Sequence, residues 1–289
     1  MNNKKKVAVA TLFCILLSGA TCNTQTRTAS DLGNYFEAKT AFSSVLDEWL
    51  SGQNEKWRVI PIYGPVYEPG TPLEPGSTEP LTDKCLVPKD AVNDDPMTSF
   101  PKISADYNFS LDASIPASIA EAKSKMVSGG ADLSASSESK LEYTELTQRA
   151  VRRDVFDESL MQLDCLAVIA GREVTVVRGL IVGKEAVSST KALSAGAKVD
   201  VMSREGLKLT YDNSGGFRLE DTEPQPKYYY VYNLTIPIEI PSNAKMSTRR
   251  TAIERYLEQN ADSQFEAVER RTSDAEAEAL VKKMQERAD

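Results

Sequence analysis

The hydrophobic pattern begins with a short apolar run near the N-terminus. Residues 7–17 are almost continuously apolar, three consecutive lysines precede them, and small residues follow at positions 18–21. The run is too short for a transmembrane helix, which needs about 20 apolar residues. A basic start, a short apolar run and small residues are typical of a bacterial secretory signal. We therefore predict a signal peptide over residues 1–21 and an exported protein.

Two cleavage patterns fit the end of this signal peptide. Cleavage after Ala20 follows the small-x-small rule of the ordinary signal peptidase and leaves a secreted chain. Alternatively, residues 17–22 resemble the lipobox of bacterial lipoproteins, although Gly and Thr stand at two positions where that motif has other residues. The lipobox resemblance implies an acylated Cys22, a polar tether over residues 22–30, and an outer-membrane lipoprotein that faces the periplasm or the cell surface.

The next segments change from a helical to an extended pattern. Apolar side chains at helical spacing over residues 31–52 predict an amphipathic helix, and a strand is predicted over residues 57–63. A stretch rich in Pro and Gly follows at 64–101, and it contains the triplet Glu-Pro-Gly twice, at 68–70 and 74–76. Pro followed by Gly favours a tight turn, so we predict an extended surface loop with two turns.

The region from residue 105 to residue 245 is dominated by β patterns. Alternating or continuous apolar residues predict strands at 105–115, 131–143, 165–187 and 227–238, and a hairpin over 207–219. Helices are predicted between these strands at 116–127 and 151–163. Together with the N-terminal helix, these elements predict an α+β domain over residues 31–245, built mainly on an antiparallel twisted sheet.

The last segment, residues 246–289, is highly charged and poor in apolar residues. Helices are predicted over 249–259 and 273–287, and Ser273 with Glu276 forms a capping box at the start of the second helix. We predict a charged helical tail. It is either a solvated tail with a thin docking stripe or an appendage that binds a partner or covers the domain itself.

Composition excludes several functions. The formal net charge is −8, so there is no basic footprint of the kind that binds nucleic acid. The absence of histidine removes Ser-His-Asp and Cys-His nucleophiles, histidine zinc sites and the commonest general base. No GxSxG, P-loop or GxGxxG motif follows a predicted strand. We therefore expect no catalytic residues, no metal site and no cofactor.

The cysteines suggest one disulfide. Of the four cysteines, Cys14 leaves with the signal peptide and Cys22 is the lipidation candidate. Cys85 and Cys165 remain as an even pair in an oxidising compartment, so we predict that they form a disulfide. A disulfide that closes a loop of this length is worth about 3–4 kcal/mol. The alternative is two unrelated buried thiols.

Two of the predicted strands suggest a second function. Segments 105–115 and 131–143 have about the length of a tilted strand that crosses a bilayer, ~9–11 residues, and alternate polar with small or apolar residues. The order of elements over residues 35–238 resembles the pore-forming domain of gasdermins. This resemblance implies lipid binding, oligomerisation into a β-barrel pore and inhibition by residues 246–289. Six side chains are then candidates for membrane insertion: Tyr107, Phe109, Leu111, Leu133, Leu141 and Tyr143.

The function that we expect is that of an exported, lipid-anchored and non-catalytic protein of the bacterial cell envelope that acts as a binding module. Its partner is an envelope protein or a membrane lipid, and the candidate contact surfaces are the Pro-rich loop and the charged C-terminal helices. The alternative is the gasdermin-like, membrane-active protein. If segments 105–115 and 131–143 are ordinary half-exposed strands, that alternative loses its basis. The oligomeric state stays open.

Overall fold

The structure is a computed structural model that describes residues 35–85, 87–96, 104–108, 138–189, 202–204, 206–211, 217–241, 243–259 and 267–288. The signal peptide, Cys22, the tether and the predicted helix at 116–127 lie outside these residues. The described part contains five α-helices and an eleven-stranded sheet. Its strand pairs are antiparallel. The predicted α+β class with a mainly antiparallel sheet is confirmed.

The elements follow one another in an order close to the predicted one. The helices are α1 (Tyr35–Ser51), α2 (Arg153–Leu160), α3 (Leu163–Ile169), α4 (Met246–Gln259) and α5 (Asp274–Ala288). The strands are β1 (Arg58–Pro61), β2 (Pro72–Leu73), β3 (Val92–Pro96), β4 (Ser104–Asn108), β5 (Glu138–Val151), β6 (Glu173–Ser189), β7 (Met202–Arg204), β8 (Leu207–Tyr211), β9 (Phe217–Asp221), β10 (Gln225–Thr235) and β11 (Val268–Arg270). The predicted N-terminal helix, the hairpin at 207–219 and the two C-terminal helices each correspond to observed elements.

Strand β6 forms the middle of the sheet. On one side it pairs with β10 over residues 173–183 and then with β9 over 186–189. On its other side it pairs with β2 at 175–176 and with β5 over 179–189. The outer strands attach to these neighbours: β1 and β11 to β10, β3 and β4 to β5, and β8 and β7 beyond β9.

A bulge divides the sheet into two halves. The register between β5 and β6 shifts around Glu145, whose backbone is left-handed with a φ of 54°. Gly183 leaves room for the bulge, because a Cβ atom there would lie 2.7 Å from Leu146 Cδ2. We call residues 173–182 of β6 with β1, β2, β10 and β11 the two-sided half. We call residues 184–189 of β6 and residues 138–144 of β5, together with β8 and β9, the one-sided half.

The helices cover these halves differently. α1 packs its apolar stripe against the inner face of the one-sided half and the adjoining part of β10. α2, α3 and α4 cover the same face of the two-sided half, whereas α5 covers its opposite face through Ala277, Leu280 and Met284. Strand β10 is therefore buried on both faces from Tyr228 to Leu234.

The Pro-rich stretch contains the predicted turns, but it is not an extended surface loop. In both Glu-Pro-Gly triplets the Glu carbonyl accepts a backbone hydrogen bond three residues on, and the glycines have positive φ (94° at Gly70 and 66° at Gly76). Those are type II turns, which need glycine at this position. Between and after them the chain returns to the sheet as β2 and β3, and residues 69–73 are buried. The surface-loop prediction was wrong because two strand pairings draw the segment onto the sheet.

Two further boundaries differ from the predictions. The stretch predicted as a strand from Cys165 onward begins instead with α3, and β6 starts only at Glu173. Residues 165–167 and 169–170 are both apolar and buried, so this run has no polar face. A continuous apolar run does not distinguish a buried helix from a buried strand. In addition, β5 extends to Val151, where a helix was predicted, and the charged C-terminal segment contains β11, which pairs with β10.

Candidate functional site

A buried ionic cluster holds α1 on the sheet. Glu185 lies on the inner face of β6 among mostly apolar side chains and is 8% exposed. Its carboxylate lies 3.8 Å from Lys39 Nζ and accepts hydrogen bonds from the hydroxyls of Tyr35 and Tyr143. Lys39 also donates to the Ile62 carbonyl at 3.0 Å. Each buried charge thus has an opposite charge and hydrogen bonds, which is what makes its burial tolerable.

A second buried ion pair supports the same cluster. Lys227 Nζ is 2.6 Å from Asp221 Oδ2, and that oxygen also accepts the backbone N–H of Glu185 at 2.7 Å. Tyr228 donates to the hydroxyl of Tyr143 at 2.8 Å. The cluster therefore connects α1, β5, β6, β9 and β10.

The pKa directions define the charge state of the cluster. Burial by itself raises the pKa of Glu185, but Lys39, Lys227 and the tyrosine hydroxyls outweigh it and lower that pKa to about 2. Burial lowers the pKa of Lys39, and the charge of Glu185 opposes this effect. Burial also raises the pKa of Tyr35 well above its ordinary value, so this tyrosine stays a neutral donor. At neutral pH Glu185 is an enclosed carboxylate, and the cluster serves to anchor α1.

An open groove runs between α1 and α5, above the outer edge of β1; we call it the α1–α5 groove. Its volume is about 690 Å³, within the range of roughly 300–1,000 Å³ that is common for ligand sites. Small or polar side chains form most of its walls, including Thr40, Ala41 and Ser44 on α1 and Lys282 and Gln285 on α5. The groove therefore offers hydrogen-bonding groups beside apolar surface from residues such as Ala277 and Val281.

The strand at the floor of this groove is closed to strand addition. The Ile62 N–H donates to the Lys227 carbonyl of β10, and the alternation of an antiparallel pair then turns the backbone of Val59 and Pro61 toward the groove. The Val59 N–H donates to Asp47 Oδ1 at 2.8 Å, and Pro61 has no N–H. An edge without free N–H groups at these positions does not template a further strand.

Ion pairs close one end of the groove. Arg58 lies 2.8 Å from Asp274, at the start of α5, and 3.5 Å from Asp47 of α1. Arg271, just before α5, also pairs with Asp47 and donates to the carbonyl of Glu55 at 3.0 Å. The two helices that form the walls are therefore cross-connected at this end.

A buried amide attaches the start of α5 to the sheet. Asn233, which is fully buried, accepts hydrogen bonds at its side-chain oxygen from Thr175 at 3.0 Å and Thr272 at 2.9 Å. Its side-chain nitrogen donates to Glu276 at 3.2 Å. The predicted capping box is confirmed, since the Ser273 N–H donates to Glu276 at 2.8 Å and the Glu276 N–H donates to Ser273 Oγ at 3.4 Å.

The predicted disulfide is present. Cys85 and Cys165 are bonded, their Cα atoms are 4.8 Å apart, and both residues are fully buried. The bond joins the Pro-rich stretch to α3, on the face that α2, α3 and α4 cover. It is part of the core and presents no exposed sulfur.

The six candidates for membrane insertion fall in different places. Phe109, Leu111 and Leu133 lie outside the described residues, and Tyr107 lies in β4, where the structure describes only the backbone. Leu141 and Tyr143 lie in β5 and belong to the core cluster beneath α1. In this folded state, the two described side chains face protein.

Sequence reasoning did not single out the charged residues of the buried cluster. Glu185 stands in the alternating series of Ile181, Gly183 and Val187, which is otherwise uncharged, and this charge was the available signal. Lys39 and Asp221 gave no such signal, because each stands in a locally polar context. Their burial comes from contacts between segments that are far apart in the chain.

Comparison with known proteins does not assign a family. No protein-family model matches this chain, and no curated protein matches it either. Among the described residues, no helix is both long and apolar enough to cross a membrane. The same residues contain no group of three or more His, Cys, Asp or Glu side chains that could hold a metal ion.

Proposed function

We propose that this chain is an exported, lipid-anchored and non-catalytic envelope protein, and that it binds a segment of another envelope protein in the α1–α5 groove. The observation that carries the proposal is the open groove itself, formed between α1 and α5 and lined by both polar and apolar side chains. The absence of histidine and of catalytic motifs supports a binding role rather than catalysis.

The groove restricts how the partner binds. The blocked edge of β1 disfavours an added strand, so the partner contacts side chains on α1 and α5 instead. Thr40, Ala41 and Ser44 are small and exposed, which allows a partner backbone or helix to come close. Hydroxyl, amide and charged groups on the walls then form hydrogen bonds with that partner, and the apolar surface of the groove contacts its carbon atoms.

The position of α1 fits a tethered protein. Its described part starts at Tyr35, and thirteen residues separate this position from the end of the predicted signal peptide at Thr21. Fully extended, such a linker spans at most about 45 Å. An acylated Cys22 would therefore keep the groove within reach of proteins at the membrane surface.

Site-specific photo-crosslinking in intact cells tests this proposal. A photoreactive residue replaces Ala41 or Gln285 in the groove, and for the control it replaces Lys208, on the outer face of the one-sided half. We expect one discrete adduct from the groove positions, identified by mass spectrometry, and none from the control. The purified partner should then lose binding to the Ser44→Arg variant. Equal crosslinking at all three positions, or none, would contradict the proposal, and the mass of Cys22 tests the anchor separately.

One observation favours the gasdermin-like alternative. The two alternating segments pair as neighbouring antiparallel strands, with Asn108 opposite Glu138 and Ser104 opposite Glu142. Because α1 covers Leu141 and Tyr143, insertion would require this helix to leave the sheet. Dye release from liposomes by the mature chain, with and without the residues after Ser247, tests it. Absence of release at micromolar protein would rule out this version.

A further inference from the structure

Each wall of the α1–α5 groove presents one row of helical side chains. Four exposed lining residues of α1 are spaced i, i+3, i+4 and i+7, namely Glu37, Thr40, Ala41 and Ser44. Four lining residues of α5 have the same spacing, namely Glu278, Val281, Lys282 and Gln285. Residues at this spacing lie on one face of a helix. Each wall therefore offers a continuous row of contacts along the groove.

The two rows run in opposite directions. The ion pairs of Arg58 join the end of α1 to the start of α5 at one end of the groove. At the other end, the Tyr63 hydroxyl lies 3.3 Å from Thr40 Oγ1 and also forms a hydrogen bond with the Gln285 side chain. Seven residues separate the first and the last position of each row, which is about 10.5 Å or two helical turns.

The floor of the groove suits a partner whose backbone groups are already paired. The Val59 N–H donates to Asp47 Oδ1, and Pro61 has no N–H. An extended segment laid along this edge would leave its own carbonyl groups without partners, which is unfavourable. An α-helix pairs its backbone groups internally except at its ends. A helix therefore loses no backbone hydrogen bond when it lies along this floor.

The side chains of the two rows match an amphipathic helix. Ala41 and Val281 lie in the middle of the rows and provide apolar contacts. Within the described part of the chain, Glu278 forms no ion pair, and Lys282 lies 4.0 Å from Glu286. Glu278 and Lys282 are one turn apart, so a cation and an anion one turn apart on a partner helix can pair with both. Short helices are marginal on their own in water, so the helix belongs to a folded protein.

We infer that the α1–α5 groove binds one amphipathic helix of a folded envelope protein, which lies between α1 and α5 and contacts both rows. This inference rests on the function proposed for the groove, and it adds the secondary structure and charge pattern of the bound segment. The bound part spans about two turns, and its apolar side chains contact Ala41 and Val281. A basic residue of the helix faces Glu278, and an acidic residue faces Lys282.

Photo-crosslinking in intact cells distinguishes a bound helix from an extended segment. A photoreactive residue replaces Glu37 or Ser44 on α1 and, in a second pair of variants, Glu278 or Gln285 on α5. The two positions of each pair are about 10.5 Å apart, which corresponds to about seven residues of a partner helix but to about three of an extended chain. We expect mass spectrometry to find adduct sites about seven residues apart on one partner protein.

The other outcomes separate this inference from the proposed function. Adduct sites about three residues apart would overturn the helix and leave the binding function of the groove intact. Adducts formed only with a second copy of this chain, or no adducts at all, would contradict both the helix and the proposed function.

Two neighbouring lysines test the charge pattern. Lys282→Glu reverses a charge that lines the groove, whereas Lys283→Glu reverses an exposed charge that does not line it. With the photoreactive residue at Ser44, the adduct yield should fall about twofold or more in Lys282→Glu and stay unchanged in Lys283→Glu. Both side chains are exposed, so neither substitution should disturb folding. Equal yields from the two variants would overturn the assigned charge pattern.

Discussion

The two halves of the sheet bury their apolar side chains in different ways. In the two-sided half, helices lie on both faces, and β10 is buried without interruption from Tyr228 to Leu234. In the one-sided half, the described residues cover only the inner face, and apolar residues alternate with polar ones. The outer face there carries a ladder of ion pairs, with Arg218 Nη1 2.6 Å from Glu142 and Nε 2.8 Å from Glu220.

This difference explains where each half places its charges. The two-sided half excludes water from both faces, and its polar contacts include the hydrogen bonds of Asn233 with Thr175 and Thr272 and ion pairs at its margin. The one-sided half keeps exposed charges on the outer face and buries one ionic cluster, around Glu185, beneath α1. Exposed pairs contribute little to stability, whereas breaking a buried pair costs much. The variants below test this contrast, from the largest expected effect to the smallest.

The largest loss should follow from removing the buried cation of the one-sided half. Lys39→Met leaves the Glu185 carboxylate with fewer compensating charges beneath α1, and we expect a loss of about 3–5 kcal/mol in the free energy of unfolding. Urea denaturation measures it. The double variant Lys39→Met with Glu185→Leu should recover most of the loss, because no uncompensated charge then remains. A loss below about 1 kcal/mol in the single variant would mean that water reaches the cluster.

The Cys85–Cys165 disulfide stabilises the two-sided half through a covalent crosslink. Replacing both Cys85 and Cys165 by alanine releases a loop with a sequence separation of 80 residues. We expect a loss of about 3–4 kcal/mol, within the range usual for a native disulfide, measured by denaturation against the wild-type protein under oxidising conditions. Reducing agent should then destabilise the wild type and leave the variant unchanged. Equal sensitivity of both proteins to the reducing agent would contradict this account.

Acid should weaken the one-sided half through Glu185. Its folded-state pKa of about 2 lies below the ordinary value of 4.5, so its stabilisation is complete above pH 4.5 and is lost as the pH falls toward 2. The shift corresponds to about 3 kcal/mol. Unfolding measured between pH 6 and pH 2 should therefore show a weaker pH dependence in Glu185→Gln than in the wild-type protein. Parallel curves for the two proteins would assign the acid sensitivity to other carboxylates.

The smallest effect should come from the ion-pair ladder on the outer face. Arg218→Ala removes the contacts with both Glu142 and Glu220, which are partly exposed. We expect a loss of no more than about 1 kcal/mol, and less at high salt. A loss comparable to that of Lys39→Met would show that the outer face is covered in the functional protein, and the contrast between the halves would then need revision.

Sequence patterns predicted the parts of this fold that local rules define. The helix at α1 follows from apolar spacing, the turns at Gly70 and Gly76 from Pro-Gly pairs, and the start of α5 from its capping box. Predictions were less accurate for segments that are buried on all sides. The run from Cys165 gave no period to distinguish α3 from a strand, and the path of the Pro-rich stretch depended on pairing with β6, about 100 residues away.

The candidate sites were less accessible to sequence analysis than the fold. The cysteine pair followed from counting, because an exported chain with two remaining cysteines tends to join them. The Lys39–Glu185 pair and the α1–α5 groove require particular elements to be neighbours. The sequence around a charged residue does not indicate which distant residue will form an ion pair with it.

The sequence by itself determined the local geometry of this protein: an exported chain is expected from its first residues, and the main helices and the β8–β9 hairpin follow from short-range patterns. Only the tertiary structure decided which faces became enclosed. Strand pairing brings Tyr35 within hydrogen-bonding distance of Glu185, 150 residues away, and aligns the first and last helices along β1. The physical reason is that periodicity and turn preference depend on neighbouring residues, whereas burial, charge pairing and cavities depend on contacts between distant ones.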